Sequence, residues 1–222
     1  DAYWNCDSSY PHERLVTPTP GYAATFAAQV KAATTGPDAE TYLDALMESK
    51  LVSDLADDEL PFEWVPVSLH SDPPAKGLRR LPTAQLLVAD LTRIMASCQH
   101  SLDVVSAYFV PGRRGTKMLV RMARAGLAVR VMTNSLEATD VLPVHASYVK
   151  YRRPLLKGGV ELFESKATQN EDEKTLLGIL GESAASLHAK SFVIDHDRVF
   201  VGSFNFDPRS VNLNCEMGFL VQ

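Results

Sequence analysis

The sequence predicts an α/β fold in which a mixed β-sheet is flanked by helices on both faces. Between residues 83 and 164, strand-sized apolar runs alternate with segments whose apolar residues recur at helical spacing. Residues 189 to 202 contain two further apolar runs separated by turn-forming residues, which is typical of a β-hairpin. A last apolar run covers residues 216 to 221. The hairpin and this closing strand would extend the sheet that the alternating segment begins.

The N-terminal quarter is predicted to be a linker followed by two helices. Residues 1 to 20 contain three prolines and no periodicity, which is typical of a connecting segment. Apolar residues recur at helical spacing from Tyr22 to Ala33 and again from Asp38 to about Leu55. The apolar residues from Phe62 to Val67 then predict a short strand, before a pair of prolines breaks the chain.

From residue 83 onwards, helices and strands are predicted to alternate. The predicted order is a helix capped by Thr83, a strand over 101–110, a helix over 116–125, a strand over 127–133, a helix over 144–157 and a strand over 160–164. A proline or a glycine follows several of these segments, and such residues end helices and strands. This β-α-β-α-β order places helices on the faces of one sheet.

The composition excludes several classes of protein. With 222 residues and 45% hydrophobic content, the chain is long enough for one large domain or for a domain with an appended segment. Its net charge of -5 argues against a non-specific nucleic-acid binder, which needs a basic excess against phosphates. Three widely spaced cysteines favour neither a disulfide framework nor a zinc site, and they fit a reducing compartment. No apolar run reaches the roughly 18 residues that a membrane-spanning helix needs.

Residues near the C-terminus form a candidate phosphate site. Along a strand, residues i and i+2 lie on one face, so His188 and Lys190 are expected to point the same way. At the tight turn that follows the hairpin, Gly202 would let the backbone approach a ligand, and Ser203 and Asn205 would direct hydrogen-bond donors at it. The lysine supplies charge and the histidine can attack phosphorus or donate a proton, so no metal is required.

Two carboxylates in the same region are expected to have different roles. Asp195 stands at an odd separation from His188, which directs it to the other face of a strand and favours a structural role. Glu216 begins the closing strand and would lie beside the histidine, where a carboxylate can orient the imidazole. A lone His-x-Lys pair in a strand is usually an accident of surface composition, so a hairpin with charged edges is the alternative for this region.

Together these residues form a recognisable pattern, His188-x-Lys190-x4-Asp195-x6-Gly202-Ser203-x-Asn205. The pattern resembles the HKD signature of the phospholipase D superfamily, with no departure in spacing. The surrounding blocks resemble bacterial cardiolipin synthases, most closely the C-terminal half of the C-type branch. These blocks are SAYFVPG (106–112), NSLEATDVLPVHASYVKYRRPLLKGGVELFE (134–164) and FNFDPRSVNLNCE (204–216). The resemblance covers roughly Pro66 to the end of the chain, and it implies a phospholipase D-like mixed sheet.

The resemblance implies a covalent mechanism through a phosphohistidine, without a cofactor or a metal. One histidine of a motif pair attacks phosphorus, and the other protonates the leaving alkoxide and then deprotonates the acceptor alcohol. The nucleophile is usually in the first half of such proteins, so His188 would be the general acid and base. Lys190, Ser203 and Asn205 would hold the phosphoryl oxygens. Glu216 matches the acid that hydrogen-bonds the histidine in the family.

The resemblance also implies substrates, partners and a location. The product would be cardiolipin, with phosphatidylglycerol as the acceptor and phosphatidylethanolamine as a candidate donor. The protein would act at a membrane surface, at the bacterial inner membrane and on its cytoplasmic side, and no nucleic-acid partner is expected. Tyr108 and Phe109 would line an acyl or headgroup groove, although core packing explains both aromatic residues equally well.

Only one motif of the expected pair is present in the chain. None of the other five histidines has a lysine two residues later. The chain opens on Asp1 without an initiator methionine, and DAYWN at its start looks like the close of a preceding HKD half. We therefore expect residues 1–60 to be a linker and helices that follow a missing first half, and residues 61–222 to be the phospholipase D-like domain. The second motif is expected in cis or from a homodimer, with little turnover by this chain alone.

Two alternatives to a phosphatidyltransferase stay open. The first is a phospholipase D-type phosphodiesterase or nuclease that uses water on phospholipid or nucleic acid, and the acidic composition weakens the nucleic-acid variant. The second is a non-catalytic half that only supports a partner domain. Product analysis with labelled glycerolipid would separate the first alternative from a transferase, and unchanged activity of His188→Ala in the full-length protein would support the second.

Overall fold

The chain folds as two compact units. A computed structural model describes residues 17, 19–35, 37–57, 59–60, 62–78, 81–166 and 186–222. The described residues up to Trp64 belong to one unit, and those from Val65 onwards belong to the other. The candidate site lies entirely in the second unit.

The described part of the first unit contains three helices. They are α1 (Tyr22–Thr34), α2 (Pro37–Met47) and α3 (Lys50–Ala56). The first agrees with its predicted range, and Pro37 begins α2, where its missing N–H group costs nothing. The second predicted helix is divided in two, which corrects the prediction of one continuous helix. Ser49 has an extended backbone, and its carbonyl accepts a hydrogen bond of 3.1 Å from Ser53 N, which starts a new helix.

Among the described residues, the second unit is built on a mixed sheet of seven strands. They are β1 (Val67–Ser71), β2 (Ser101–Ser106), β3 (Ala128–Asn134), β4 (Glu161–Ser165), β5 (Lys190–Ile194), β6 (Arg198–Gly202) and β7 (Met217–Val221). Their order across the sheet is β1-β7-β6-β5-β2-β3-β4. The β2-β3 and β3-β4 pairs are parallel and the others antiparallel, so the predicted α/β fold with a mixed sheet is confirmed. The strand predicted from Phe62 is wrong, because Trp64 is 98% exposed and strand pairing begins only at Val67.

The described helices of the second unit mostly connect strands. They are α4 (Leu87–Ala96), α5 (Gly112–Arg124), α6 (Leu142–Lys157) and the short α7 (Pro208–Asn212). The predicted cap of α4 is wrong, because Thr83 lies in a separate 3-10 turn and does not cap the helix. Asp72, which is 15 residues away in the sequence, caps the helix instead, since its Oδ1 accepts a hydrogen bond of 2.8 Å from Leu87 N. No helix in the described part of the chain has the length and apolar character needed to cross a membrane.

The two faces of the sheet differ in burial. On one face, register partners from neighbouring strands are buried in a continuous row: Leu220, Phe200, Phe192, Val104 and Val131. The Phe192 and Phe200 rings stack with centroids 4.9 Å apart. On the opposite face, the corresponding row contains Leu69, Phe219, Val201, Met132 and Phe163, which are 38 to 56% exposed. The core of the second unit therefore lies on one face of the sheet.

Candidate active site

The backbone around His188 is fixed to the ends of two central strands. The Asn134 side chain, at the end of β3, accepts a hydrogen bond from Leu187 N and donates one to Leu187 O, both 2.9 Å long. On the other side of the histidine, Ala107 N donates to Ala189 O at 3.0 Å. His188 itself is exposed, and it stands just before β5 and not within it. The imidazole is thus presented at the ends of the central strands by a backbone that is held on both sides.

An aromatic ring lies beside the imidazole. The Tyr108 and His188 rings meet edge to face, with centroids 6.5 Å apart. The Tyr108 hydroxyl donates a hydrogen bond of 2.7 Å to Asp140 Oδ2. Burial, followed by this bond and the nearby charge, raises the pKa of Tyr108 to about 12, so its hydroxyl keeps its proton. Phe109 is 1% exposed and contacts Tyr148 in the core, so the structure places only the first of the two predicted groove residues at the site.

Lys190 hydrogen-bonds the backbone of the histidine and is influenced by the charges of three acids. Its Nζ donates a hydrogen bond of 2.8 Å to the carbonyl oxygen of His188. Partial burial lowers the pKa of Lys190, and the negative charges of Glu216, Asp140 and Asp207 act in the opposite direction. The ammonium group therefore lies close to the histidine backbone and within electrostatic reach of three acids.

Glu216 is buried and held by two serine hydroxyls. The residue is 6% exposed and immediately precedes β7. Its Oε1 accepts a hydrogen bond of 2.7 Å from Ser210 Oγ, and its Oε2 accepts one of 2.5 Å from Ser203 Oγ. Ser203 Oγ also accepts a hydrogen bond of 3.0 Å from Met217 N. The Ser203 proton is directed at a carboxylate here, whereas the sequence led us to expect it at a phosphoryl oxygen.

Asn205 is buried near the same serine. Its backbone N donates to Ser210 Oγ at 3.2 Å, and the residue is 8% exposed. Within the described part of the chain, Asn205 Oδ1 is buried without a hydrogen-bond partner. Leaving such an atom unpaired costs about 1 to 3 kcal/mol, so buried polar atoms of this kind are uncommon in folded proteins.

Asp207 sets the start of α7 and thereby the position of Ser210. Asp207 Oδ1 accepts hydrogen bonds from Arg209 N at 2.7 Å and from Ser210 N at 2.8 Å, which is an N-cap. Burial raises the pKa of Asp207, against these hydrogen bonds. The following Pro208 fits the first helical position. The capped turn presents the Ser210 hydroxyl to Glu216.

Of the two residues assigned a structural role from the sequence, Asp195 lies at the end of β5 that is remote from the imidazole. Asp195 Oδ1 accepts hydrogen bonds from His100 N at 2.7 Å and from Ser101 N at 2.9 Å, at the opposite end of β5. These and further backbone donors hold the pKa of Asp195 well below its usual range.

Gly202 faces the neighbouring strand. A Cβ at Gly202 would lie 2.4 Å from the Met217 carbonyl oxygen and 2.7 Å from Gly218 Cα. Its lack of a side chain therefore permits the close approach of β7 to β6. The sequence led us to expect that the backbone of Gly202 approaches a ligand. The structure corrects this expectation, because β7 occupies the space beside the glycine.

Sequence reasoning missed several residues that hold the site, among them Asn134, Asp207 and Ser210. An available signal for Asp207 was the Asp-Pro pair, which is typical of a helix start. Asn134 is a polar residue that follows a buried strand, which is a weaker signal. No sequence pattern indicated the role of Ser210, because its contact with Glu216 depends on how α7 packs.

The arrangement combines groups suited to phosphoryl chemistry. An exposed imidazole, a neighbouring ammonium and a buried carboxamide come from two short segments, one at the start of β5 and one after the end of β6. The ammonium can offset negative charge on a phosphodiester, and the imidazole can transfer a proton or attack phosphorus. The carboxylate of Glu216 is oriented before any ligand binds, because two hydroxyls donate to it.

Comparison with known proteins identifies relatives that share this region. Residues 91–222 match the family described as cardiolipin synthase, PLD-like domain. Cardiolipin synthase C of Escherichia coli strain K12 is 43% identical over 222 residues, which cover 99% of this chain and 47% of that protein. Cardiolipin synthase B of the same strain is 26% identical over 129 residues, which cover 58% of this chain and 27% of that protein. The chain thus spans about half or less of the length of these curated relatives.

Solved structures show the same fold at low sequence identity. Nuc, a phospholipase D family member from Salmonella typhimurium, has a TM-score of 0.51 at 16% identity, over 71% of this chain and 83% of that chain. Phosphatidylserine synthase from Haemophilus influenzae Rd KW20 has a TM-score of 0.50 at 15% identity, over 77% and 39%. The second unit therefore has the fold seen in phospholipase D-like proteins.

Proposed function

Because the chain belongs to the cardiolipin synthase family with a phospholipase D-like domain, we propose that it forms one half-site of a phosphatidyltransferase. The enzyme would pass a phosphatidyl group from one phospholipid to a hydroxyl group of another. The observation that carries the proposal is the position of Lys190. Its ammonium bonds the carbonyl of the exposed His188 and lies within reach of the charge of the buried Glu216. This is the set of groups that a phosphohistidine mechanism uses.

In the proposed reaction, the histidine of the other HKD half-site, the first half of such proteins, attacks the phosphorus of the donor lipid. A P–N bond forms and the P–O bond to the leaving alcohol breaks, while His188 donates its proton to the departing oxygen. His188 then takes the proton of the acceptor hydroxyl, whose oxygen attacks phosphorus. The P–N bond breaks, the new phosphodiester leaves and both histidines return to their starting states.

The other residues of the site hold charge and orientation. We assign Lys190 and Asn205 to the phosphoryl oxygens, since one supplies charge and the other a buried carboxamide whose Oδ1 has no partner in the described structure. Rotation of that carboxamide would offer its Nδ2 donor to the ligand. We assign Glu216 to the His188 imidazole and Ser203 to the orientation of Glu216, on the basis of the 2.5 Å hydrogen bond between them.

A second HKD half has to complete the site. The sequence contains no other His-x-Lys pair, and one half-site cannot supply both nucleophilic attack and leaving-group protonation. The chain covers 47% of its E. coli relative, which leaves room for such a half in a longer protein, and homodimerisation is the other route. We use the term complete enzyme for this chain together with that half, and we propose little or no turnover for the 222-residue chain alone.

The substrates and location follow from the relatives and not from the geometry. Two relatives carry the name cardiolipin synthase. We therefore propose phosphatidylglycerol as the acceptor and phosphatidylethanolamine as a candidate donor. The enzyme would work at a membrane surface, at the cytoplasmic side of the bacterial inner membrane. The net charge of -5 argues against a nucleic-acid substrate.

Product analysis tests this proposal. The complete enzyme is incubated with vesicles of phosphatidylglycerol, labelled in its headgroup glycerol, and phosphatidylethanolamine, and the lipids are identified by mass spectrometry. We expect labelled cardiolipin, and we expect His188→Ala to abolish it. Phosphatidic acid as the main product would instead support a phosphodiesterase that uses water. Unchanged activity of His188→Ala would support a non-catalytic supporting half.

A further inference from the structure

A buried ion pair contacts the backbone of Glu216, the buried acid of the site. The Lys76 Nζ donates a hydrogen bond of 2.5 Å to Asp72 Oδ2, and the two side chains are 1% and 0% exposed. The pair spans the end of β1 and the 3-10 turn Pro74–Lys76. Two charges without access to water are costly to bury unless their remaining hydrogen-bonding groups are satisfied. The groups that hydrogen-bond to the pair therefore show which parts of the structure the pair fixes.

Two of these hydrogen-bonding partners are the backbones of Glu216 and of Ser210, one of the two serines that donate to its carboxylate. Asp72 Oδ2 accepts a hydrogen bond of 3.0 Å from Glu216 N, and Asp72 N donates one of 2.8 Å to Glu216 O. Lys76 Nζ donates a second hydrogen bond, of 2.7 Å, to the carbonyl oxygen of Ser210. Ser210 in turn donates its hydroxyl proton to Glu216 Oε1. The ion pair thus fixes the main chain of the acid and the main chain of one of its two hydroxyl donors.

We propose that Asp72 and Lys76 are positioning residues for Glu216, which they hold at a fixed distance from Lys190 and His188. The inference rests on the proposed function, because that function gives Glu216 its role beside the imidazole. Neither residue of the pair touches the reacting atoms. Their effect passes through the Glu216 main chain and the Ser210 hydroxyl.

Asp72 also connects the backbone of Glu216 to the core. Its Oδ1 accepts a hydrogen bond from Leu87 N, the first residue of α4. One carboxylate thus joins β1, the start of α4 and the start of β7. An apolar pair of the same volume could fill the space, but it could not accept the Glu216 N–H or donate to the Ser210 carbonyl. Directional bonds of this kind are what a positioning role requires.

The first test measures steady-state kinetics of the complete enzyme. Lys76→Met leaves Asp72 buried without its charge partner, so the double variant Asp72→Asn with Lys76→Met is measured beside it. In that double variant, Asp72→Asn keeps one acceptor oxygen where Asp72 has two, so the side chain cannot accept from both Glu216 N and Leu87 N, and Lys76→Met removes the donor to the Ser210 carbonyl. We expect kcat to fall about 100-fold, with KM within about twofold, because small displacements of a catalytic group have effects of that size. Lys76→Arg should recover part of the loss.

A matched control is available elsewhere in the chain. Lys50 and Asp54 also form a Lys–Asp pair four residues apart, at 2.7 Å, but the Lys50 side chain is 85% exposed. Lys50→Met should leave kcat and KM unchanged. Thermal unfolding of each variant reports whether it is folded at the assay temperature, and kcat is corrected for any unfolded fraction.

Combining variants separates positioning from a general loss of stability. If the pair acts through Glu216, adding the double variant to Glu216→Gln causes little further loss of kcat. Losses that multiply would overturn the proposal, as would a double variant that raises KM while kcat is unchanged. The pH profile of kcat should change in the same direction in the double variant and in Glu216→Gln.

A second measurement does not depend on activity. The charge of Glu216 acts to raise the pKa of Lys190, so displacing that charge should lower the pKa of Lys190 further. We expect NMR titration of Lys190 in the 222-residue chain to show this decrease in Glu216→Gln and in the double variant. A decrease in Glu216→Gln alone would overturn the positioning role. If both variants titrate as expected but Glu216→Gln keeps full activity, the proposed role of Glu216 fails and the positioning stands.

Discussion

The hydroxyl of Ser203 donates a hydrogen bond of 2.5 Å to Glu216 Oε2, across the end of β6 and the start of β7. The same carboxylate accepts a second hydrogen bond from Ser210, in α7. Two hydroxyl groups from different segments therefore fix the orientation of one buried acid. A motif serine that could bind a phosphate in principle is used here to orient the group that we place beside the imidazole.

Ser203→Ala should lower turnover without weakening lipid binding. Loss of one hydrogen bond to a charged group is worth about 1.5 to 3 kcal/mol, so we expect kcat to fall at least about tenfold while KM changes little. Steady-state kinetics of the complete enzyme on vesicles measure both constants. Ser191→Ala, in β5, is the matched control. A large rise in KM with kcat unchanged would show that Ser203 binds the substrate phosphate instead.

Activity should decline at alkaline pH as Lys190 loses its proton. Burial lowers the pKa of Lys190 below the ordinary lysine value of 10.5, and the proposed role requires the protonated form. The alkaline limb of kcat/KM should therefore lie below that value. Lys190→Arg, whose side chain stays charged, should lose activity through altered geometry but should lack this limb. An unchanged alkaline limb in Lys190→Arg would contradict the assignment.

Lys190→Ala should remove most of the activity. Loss of one preorganised group that stabilises transition-state charge typically costs about 100-fold to 1000-fold in kcat, and we expect a decrease in that range. Lys117→Ala, on an exposed position of α5, serves as the control. A decrease of less than about tenfold would argue that Lys190 does not contact the phosphoryl group.

Tyr108→Phe should be milder than Tyr108→Ala. The ring meets the His188 ring edge to face, whereas the hydroxyl is bonded to Asp140. Aromatic pairs contribute about 0.5 to 1.5 kcal/mol, so loss of the ring should lower kcat by up to about tenfold and loss of the hydroxyl by less. The initial rates of both variants test this order. Equal losses would mean that the hydrogen bond to Asp140 matters more than the ring.

Asp195→Asn should destabilise the fold and leave the chemistry intact. The carboxylate accepts backbone hydrogen bonds at the end of β5 remote from His188, so the unfolding temperature should fall while kcat of the folded enzyme is retained. Asp197→Asn is the control, since that side chain is 70% exposed. A loss of kcat in folded Asp195→Asn would contradict this role.

The same carboxylate predicts a pH dependence of stability. Backbone donors depress the folded pKa of Asp195, so its contribution is fully present above the unfolded value of 3.8 and is lost as pH falls through the folded value. Denaturation series between pH 7 and pH 2 should therefore converge for the chain and for Asp195→Asn in acid. A difference between them that grows in acid would contradict the sign.

Much of the fold was predictable because its signals are local. Strand-sized apolar runs marked the strands around Val104 and Val131, and helical spacing marked α1. The errors have different causes. The division at Ser49 and the remote cap of α4 depend on backbone angles and on a partner, Asp72, that the helix sequence does not contain. Periodicity carries no information about either.

The sequence by itself determined the order of strands and helices and the spacing of the HKD residues, because both are properties of short stretches of chain. Only the tertiary structure decided that Ser203 donates a hydrogen bond to the Glu216 carboxylate and that Asp72 accepts one from the Glu216 backbone. The second contact joins residues 144 positions apart, and a hydrogen bond across that separation exists only once β1 and β7 have paired in register. A change of register by one residue would turn the same side chains to opposite faces of the sheet.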